Sequence, residues 1–156
     1  MKTAEDLGLS EEELQALLKV REDLKQGYLR YKSLSVVEER SSGNYFNMSV
    51  GLTKHGCGSI GCIAGQMALY LNKGDFITAM RVSNRLLGHS YLNGPQATAL
   101  ETLFVPINTP CVWSDLTVDE AVAAITNFVE TGHASWDKVC ASRGRIDERI
   151  SSGENL

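Results

Sequence analysis

The segment FNMSVGLTKHGCGSIGCIAGQMALYL, residues 46–71, is the most informative stretch of this 156-residue chain. It contains Cys57 and Cys62, two of the four cysteines, among closely spaced glycines. Glycine at this density allows the backbone to approach other groups closely or to turn through positive φ. Apolar residues recur at helical spacing after Cys62. The segment therefore predicts a glycine- and cysteine-rich turn over residues 54–61 that leads into a central helix.

Capping boxes mark the starts of two further helices. The pairs Ser10 with Glu13 and Thr117 with Glu120 have the spacing in which each side chain satisfies the other's backbone N–H group. The first box predicts a helix over residues 11–31, and the second predicts a helix that is closed by a C-capping glycine.

The rest of the chain follows the same pattern. Helices are also indicated over residues 76–87 and after Pro95, and no run of residues alternates in polarity between turn signals as a half-buried strand would. The sequence predicts an all-α fold, a single compact domain of five or six helices over residues 1–142. The polar residues 143–156 are expected to form a C-terminal tail.

Composition and charge exclude several classes of protein. A chain that is 43% hydrophobic and 22% charged is typical of a globular domain and not of a disordered one. The net charge of −4 has the wrong sign for contact with a phosphate backbone, so nucleic acid is not an expected partner.

The hydropathy pattern bears on the compartment. No apolar run reaches the roughly 20 residues that a membrane-spanning helix needs, and residues 1–20 lack the pattern of a signal peptide. We therefore expect a cytoplasmic protein without membrane contact, whose cysteines stay reduced.

One chemical interpretation of the glycine-cysteine turn is nucleophilic catalysis. Cys62 begins the central helix, whose dipole would lower the thiol pKa, and Cys57 is the second candidate nucleophile. His133 is the candidate base. No strand pattern surrounds His133, however, and the cysteine spacing differs from that of papain-like enzymes.

A second interpretation is a metal site. His55, Cys57 and Cys62 place three soft donors within eight residues. Structural zinc sites usually carry two closely spaced cysteine pairs, and only one loose pair is present here. We accordingly expect no metal and no cofactor.

A third interpretation is a phosphate nest, in which backbone N–H groups at a helix start hold a small anion or a nucleotide. Arg81 and Arg85, one helical turn apart in the faintly basic central third of the chain, would add positive charge. The N–H groups would come from Gly56, Gly58, Ser59 and Gly61.

The favoured interpretation treats both cysteines as small buried residues that let helices pack closely. The protein is then a non-enzymatic binding protein. Its partner is expected to be another protein, with Trp113 and Val105 as the exposed apolar anchors. A small anionic ligand at the turn is the alternative ligand, and self-association into a homo-oligomer stays open.

Three segments are shared with known sequences: FNM followed by CGSIGCIAG at residues 57–65, RLLGHSYLNGPQATALETLFVP at residues 85–106, and LTVDEAVAAITNFVETGHASW at residues 116–136. Together they resemble a group of uncharacterised small bacterial and bacteriophage proteins. The resemblance implies a bacterial or phage setting, in which modulation of a host process is a fitting role. It transfers no catalytic residue, because the position of His133 is commonly not histidine in that group.

Overall fold

The structure is a computed structural model and describes residues 1–32, 44–48, 52–55, 58–72, 75, 79, 99–104 and 115–141. Within these ranges a short 3-10 helix at Glu5–Leu7 precedes five α-helices and four β-strands.

Helix α1 spans Glu11–Gln26. Its predicted capping box is confirmed, since Ser10 Oγ accepts from the N–H of Glu13 and a Glu13 carboxylate oxygen accepts from the N–H of Ser10. The predicted end at residue 31 is wrong. Gly27, at φ 78°, closes the helix in the left-handed conformation that glycine adopts without strain.

A four-stranded sheet follows, in the order β1-β2-β4-β3. Its strands β1, β2 and β4 are parallel, and β3 pairs antiparallel with β4 at one edge. The all-α prediction is therefore wrong, and the fold is mixed α/β. The strands are β1 at Arg30–Tyr31, β2 at Asn44–Phe46, β3 at Leu52–His55 and β4 at Gly58–Gly61.

The sheet escaped prediction for a physical reason. Strands of two to four residues are too short to show the alternation of polarity that identifies a half-buried strand. Gly58, Ser59 and Gly61, three of the four residues of β4, are not the β-branched or aromatic types that favour strands. The segment predicted as a glycine-rich turn is instead a pair of strands, in which His55 pairs with Gly58.

The predicted central helix is confirmed as α2, at Ile63–Leu71, with Cys62 as its N-cap residue. The first six residues of α2 are all buried, so its first turns lie inside the molecule. Ala64, Gly65 and Ala68 are the small residues among them, and they allow the close packing that was expected of this segment.

Three helices lie in the described residues after position 98, and the first two of them were predicted. Helices α3, α4 and α5 span Ala99–Phe104, Val118–Thr131 and Trp136–Val139. The second capping box is confirmed at the start of α4, which ends at Gly132 with φ 87°. Trp136 is buried, and its indole N–H donates to the carbonyl of Thr102 at 3.0 Å, which fixes α5 against α3.

One hydrophobic cluster connects these elements. It extends from Ala4 to Cys140, and it includes Phe46 and Met48 from the segment around β2. A smaller cluster of Leu52, Ala68 and Ala79 lies between β3 and α2. The domain boundary at residue 142 stays a prediction, because residues 142–156 lie outside the described ranges.

Candidate functional site

The amino ends of the three parallel strands lie side by side, and two polar side chains meet there. Asn44 begins β2 and is the register partner of Ser59 on β4. The buried Ser59 hydroxyl donates to Asn44 Oδ1 at 2.7 Å. This bond uses one of the two lone pairs of the Asn44 amide oxygen, and the Asn44 NH₂ group donates to no residue in the described part of the chain.

Helix α2 brings Gln66 over the same strands. Its side-chain nitrogen donates to the carbonyls of Tyr45 at 2.9 Å and Gly61 at 3.2 Å. Both partners are acceptors, which identifies the contacting atom as the amide nitrogen and leaves the oxygen on the other side.

The Gln66 oxygen is the unusual atom of this region. Gln66 is 3% exposed, and its amide oxygen accepts no hydrogen bond from any residue in the described ranges. A buried acceptor that is left unsatisfied costs about 1–3 kcal/mol, so native proteins rarely leave one without a partner.

One turn further along α2, Tyr70 contacts α1. Its hydroxyl donates to the carboxylate of Asp23, near the C-terminus of α1. The Lys19 ammonium lies 3.0 Å from the other carboxylate oxygen, at the i,i+4 spacing that joins side chains on one helix face. Asp23 is thereby held in place from two directions.

A pocket of about 330 Å³ lies between these groups. The polar side chains of its wall are the ones described above, Asp23, Asn44, Gln66 and Tyr70. Tyr28, Leu29 and Leu69 complete the wall, and the Tyr28 side chain is 78% exposed. The pocket wall therefore combines two amides, a carboxylate and two tyrosine side chains.

The residues of the predicted phosphate nest are used differently. Gly58, Ser59 and Gly61 form β4, which is hydrogen-bonded to β2 on one side and to β3 on the other. The backbone groups of a central strand serve the sheet on both sides, so this geometry gives no support to an anion site there. Gly56, Arg81 and Arg85 lie outside the described residues.

The structure places the Cys62 thiol away from solvent. Cys62 is 1% exposed, and burial raises the pKa of its thiol, although the backbone N–H groups of Gly65 and Ala64 oppose the shift. A thiol of this kind is a poor nucleophile, since the thiolate is the reactive form. His133, the proposed base, is exposed beyond the end of α4, so the two side chains lie in different environments.

The other predicted site residues are not brought together by the described structure. Cys57 and the side chain of His55 lie outside the described residues. Among the residues that are described, no three His, Cys, Asp or Glu side chains are arranged to hold a metal ion. Val105 and Trp113 are also outside these ranges, so contact with a protein through them stays a prediction.

A second hollow of about 430 Å³ lies beyond the carboxyl end of β1, against the start of α4. Its side chains include Tyr31, Asp115 and Asp119, which are all exposed. Thr117 also lines this hollow, and its side chain is engaged in the capping contacts with Glu120. In contrast to the first pocket, the described wall contains no polar side chain that is both buried and unsatisfied.

Sequence reasoning missed the polar residues of the first pocket. Gln66 carried a usable signal, because it is the one strongly polar side chain in the apolar run of α2. Asp23 and Tyr70 are 47 positions apart in the chain, and nothing in their local sequence predicts that they meet.

Comparison with known proteins adds no family: no family model, no curated protein and no solved structure matches the chain. Within the described ranges, every helix is too short or too polar to cross a membrane.

Proposed function

We propose that this protein is a non-enzymatic binding protein that takes a small organic molecule into the pocket between α1, α2 and the amino ends of β1 and β2. The buried amide oxygen of Gln66 carries the proposal. A ligand with an N–H or O–H group would satisfy this oxygen and remove the cost of leaving it without a partner.

The charges of the wall indicate the kind of molecule. Asp23 contributes a carboxylate, and the nearest described cation, Lys19, is already paired with it. An anionic ligand would be repelled by Asp23 without gaining a partner of opposite charge. The ligand is therefore neutral or cationic, in contrast to the anion proposed for the glycine-rich segment.

Binding is favoured over catalysis by the chemistry of the lining groups. Asn44 and Gln66 carry amides, which do not ionise near neutral pH and therefore do not serve as a general acid or base. Asp23 is held by Lys19 and by Tyr70, and the Cys62 thiol is buried elsewhere. The buried thiols of Cys62 and Cys140 also fit the reducing cytoplasm in which we propose that the protein acts.

A fragment screen tests this function. Saturation-transfer NMR on the wild-type chain should detect neutral or cationic fragments that carry N–H or O–H donors. Binding should be lost in Gln66→Met, which removes the oxygen and keeps the length of the side chain. Because this variant also loses two hydrogen bonds, Leu69→Phe, which narrows the pocket from another side, serves as a second variant and should weaken the same fragments.

The screen has a clear negative outcome. If no donor-bearing fragment binds, or if the fragments bind equally well to both variants and to the wild type, the pocket is not a ligand site and the proposal fails. Tyr31→Ala, in the second hollow, is the matched control and should leave fragment binding unchanged.

A further inference from the structure

We infer that the molecule bound in this pocket is a small organic amine in its protonated, cationic form. The inference rests on the proposed function, which leaves the ligand neutral or cationic, and it decides between the two. It is carried by the Asp23 carboxylate, which lies with two tyrosine side chains in a wall whose described residues include no lysine or arginine.

Asp23 is the one charged side chain among the described residues of the wall. Its side chain is only 13% exposed. The attraction between opposite charges grows as water is removed from around them, so a cation gains more from this carboxylate than from one on the open surface. Tyr70 and Lys19 each use one position of the carboxylate, which has about four, so it can accept from a further N–H group.

Lys19 of the protein itself shows that an ammonium group fits against Asp23 and Tyr70. The Lys19 Nζ atom lies 3.0 Å from Asp23 Oδ1 and 5.9 Å from the centre of the Tyr70 ring. A carboxylate and an aromatic ring at such distances are two of the partners through which proteins hold ammonium ions. Lys19 is 54% exposed and does not line the pocket, so it contacts the pair from outside and leaves the pocket itself to the ligand.

Tyr28 adds a second aromatic ring to the wall. It is 78% exposed although it is a large side chain, so a ligand in the pocket would cover part of it. The face of an aromatic ring attracts a cation, whereas a neutral molecule of the same shape gains only the packing contact. Carboxylate and tyrosines therefore favour the cation over its neutral analogue.

Size and apolar surface define the rest of the molecule. A pocket of about 330 Å³ is at the lower end of the range for small-molecule sites. Leu29 and Leu69 give the wall an apolar part, which suits a short alkyl or aryl group. A polyamine would leave its further ammonium groups without a carboxylate in the described wall, so the class is a monoamine with a small apolar group.

Matched pairs of compounds test the inference by isothermal titration calorimetry of the full chain. The pairs are benzylamine with benzyl alcohol and butylamine with butanol, whose members differ in an ammonium group and a hydroxyl group. Both members of a pair can donate to a buried acceptor, so the comparison isolates the charge. At least one amine should bind, about tenfold or more tightly than its alcohol, and added salt should weaken it.

Asp23→Asn isolates the carboxylate. This substitution keeps the size of the side chain and an oxygen that accepts from Tyr70, but it removes the charge. It should weaken the amine about tenfold or more and leave the affinity for the alcohol unchanged. The control is Asp119→Asn, which removes the same charge at an exposed position of the second hollow and should bind the amine like the wild type.

Lys19→Gln gives a change of opposite sign. It removes the ammonium group that shares the Asp23 carboxylate, so the amine should bind more tightly, whereas a merely structural ion pair predicts no gain. Tyr28→Ala should weaken the amine about threefold, and Tyr28→Phe, which keeps the ring, should bind it like the wild type. Melting temperatures close to that of the wild type show that each variant is folded.

The failures of the two proposals are distinguishable. If each alcohol binds as tightly as its amine and both are lost in Gln66→Met, the ligand class is wrong and the binding function stands. Equal weakening of the amine by Asp23→Asn and Asp119→Asn, or weaker binding to Lys19→Gln, would also overturn the inference. If neither amines nor the fragments of the screen bind, both proposals are overturned.

Discussion

The two ends of the parallel strands differ in how their polar groups are used. At the carboxyl end, Asn47 is 1% exposed, its N–H donates to the Gly61 carbonyl at 3.1 Å, and its side chain donates to the Lys32 carbonyl at 3.0 Å. At the amino end, Asn44 is exposed and lies in the pocket wall, whereas Gln66 is held over the strands by the carbonyls of Tyr45 and Gly61. One end joins the strands together, and the other borders the pocket.

This difference is opposite to the usual one in α/β proteins. Ligands of parallel sheets generally bind beyond the carboxyl ends of the strands, where helix N-termini meet. Here the small residues Ala64 and Gly65 let the start of α2 lie directly against the carboxyl end. Near the other end of α2, the bulky Tyr70 reaches across to α1, and the space between them is the pocket.

The largest effect on stability is expected at Phe46. This residue ends β2, lies between Asn44 and Asn47 in the sequence, and is completely buried. Phe46→Ala should lower the free energy of unfolding by about 3–5 kcal/mol, because it removes a large apolar side chain and leaves a cavity. Urea denaturation followed by circular dichroism measures the loss.

The control is Tyr45→Ala, on the neighbouring and only half-buried residue, which should cost clearly less. A loss below about 1 kcal/mol for Phe46→Ala would contradict the idea that one core supports both ends of the sheet.

The second prediction compares the stability of the two ends of the sheet directly, because the same Asn→Asp substitution is made at each end. Asn47→Asp replaces a buried donor with a carboxylate that faces the Lys32 carbonyl, and it should cost about 2–3 kcal/mol. Asn44→Asp keeps the acceptor for Ser59 at an exposed position and should change stability by no more than about 0.5 kcal/mol. Equal losses in paired denaturation curves would mean that the ends are not different.

The third effect appears only at alkaline pH. Burial raises the Cys62 pKa above the ordinary thiol value of 9.0. Above pH 9.0 the thiol ionises in the unfolded chain while the folded chain keeps its proton, so stability falls as pH rises, by about 1.4 kcal/mol per pH unit up to the folded pKa.

Cys62→Ala should abolish this contribution, so the stability of the wild type should fall faster than that of the variant between pH 9 and pH 10. Denaturation series at the two pH values measure the difference. The second buried cysteine, Cys140, is present in both proteins and cancels. If the stability of the wild type and that of Cys62→Ala fell equally with pH, the Cys62 thiol would be in contact with water. Its reactivity would then have to be considered again.

The helices were predictable because their signals are local. The two capping boxes, the start of α2 and the glycine that ends α4 involve residues within four positions of one another. The end of α1 carried a similar signal, since Gly27 follows a run of helix-favouring residues, and the predicted helix nevertheless ran past it.

The sheet and the pocket could not be predicted in this way. The bond between Gln66 and Tyr45 spans 21 positions, and the bond between Tyr70 and Asp23 spans 47. Strand β2 is three residues long, and its pairing with β4 is a property of the two segments together. Contacts between residues so far apart in the chain leave no pattern in the local sequence.

The sequence by itself determined where α1, α2 and α4 begin and which side chains are apolar enough to be buried, because short-range hydrogen bonds and side-chain polarity act within a few residues. Only the tertiary structure decided that the glycine-rich segment forms two strands, that Cys62 is buried, and that a pocket lies beside the amino end of β2. These outcomes depend on which distant segments meet, since a backbone N–H, a thiol or an amide oxygen acquires its role from the partner that folding brings to it.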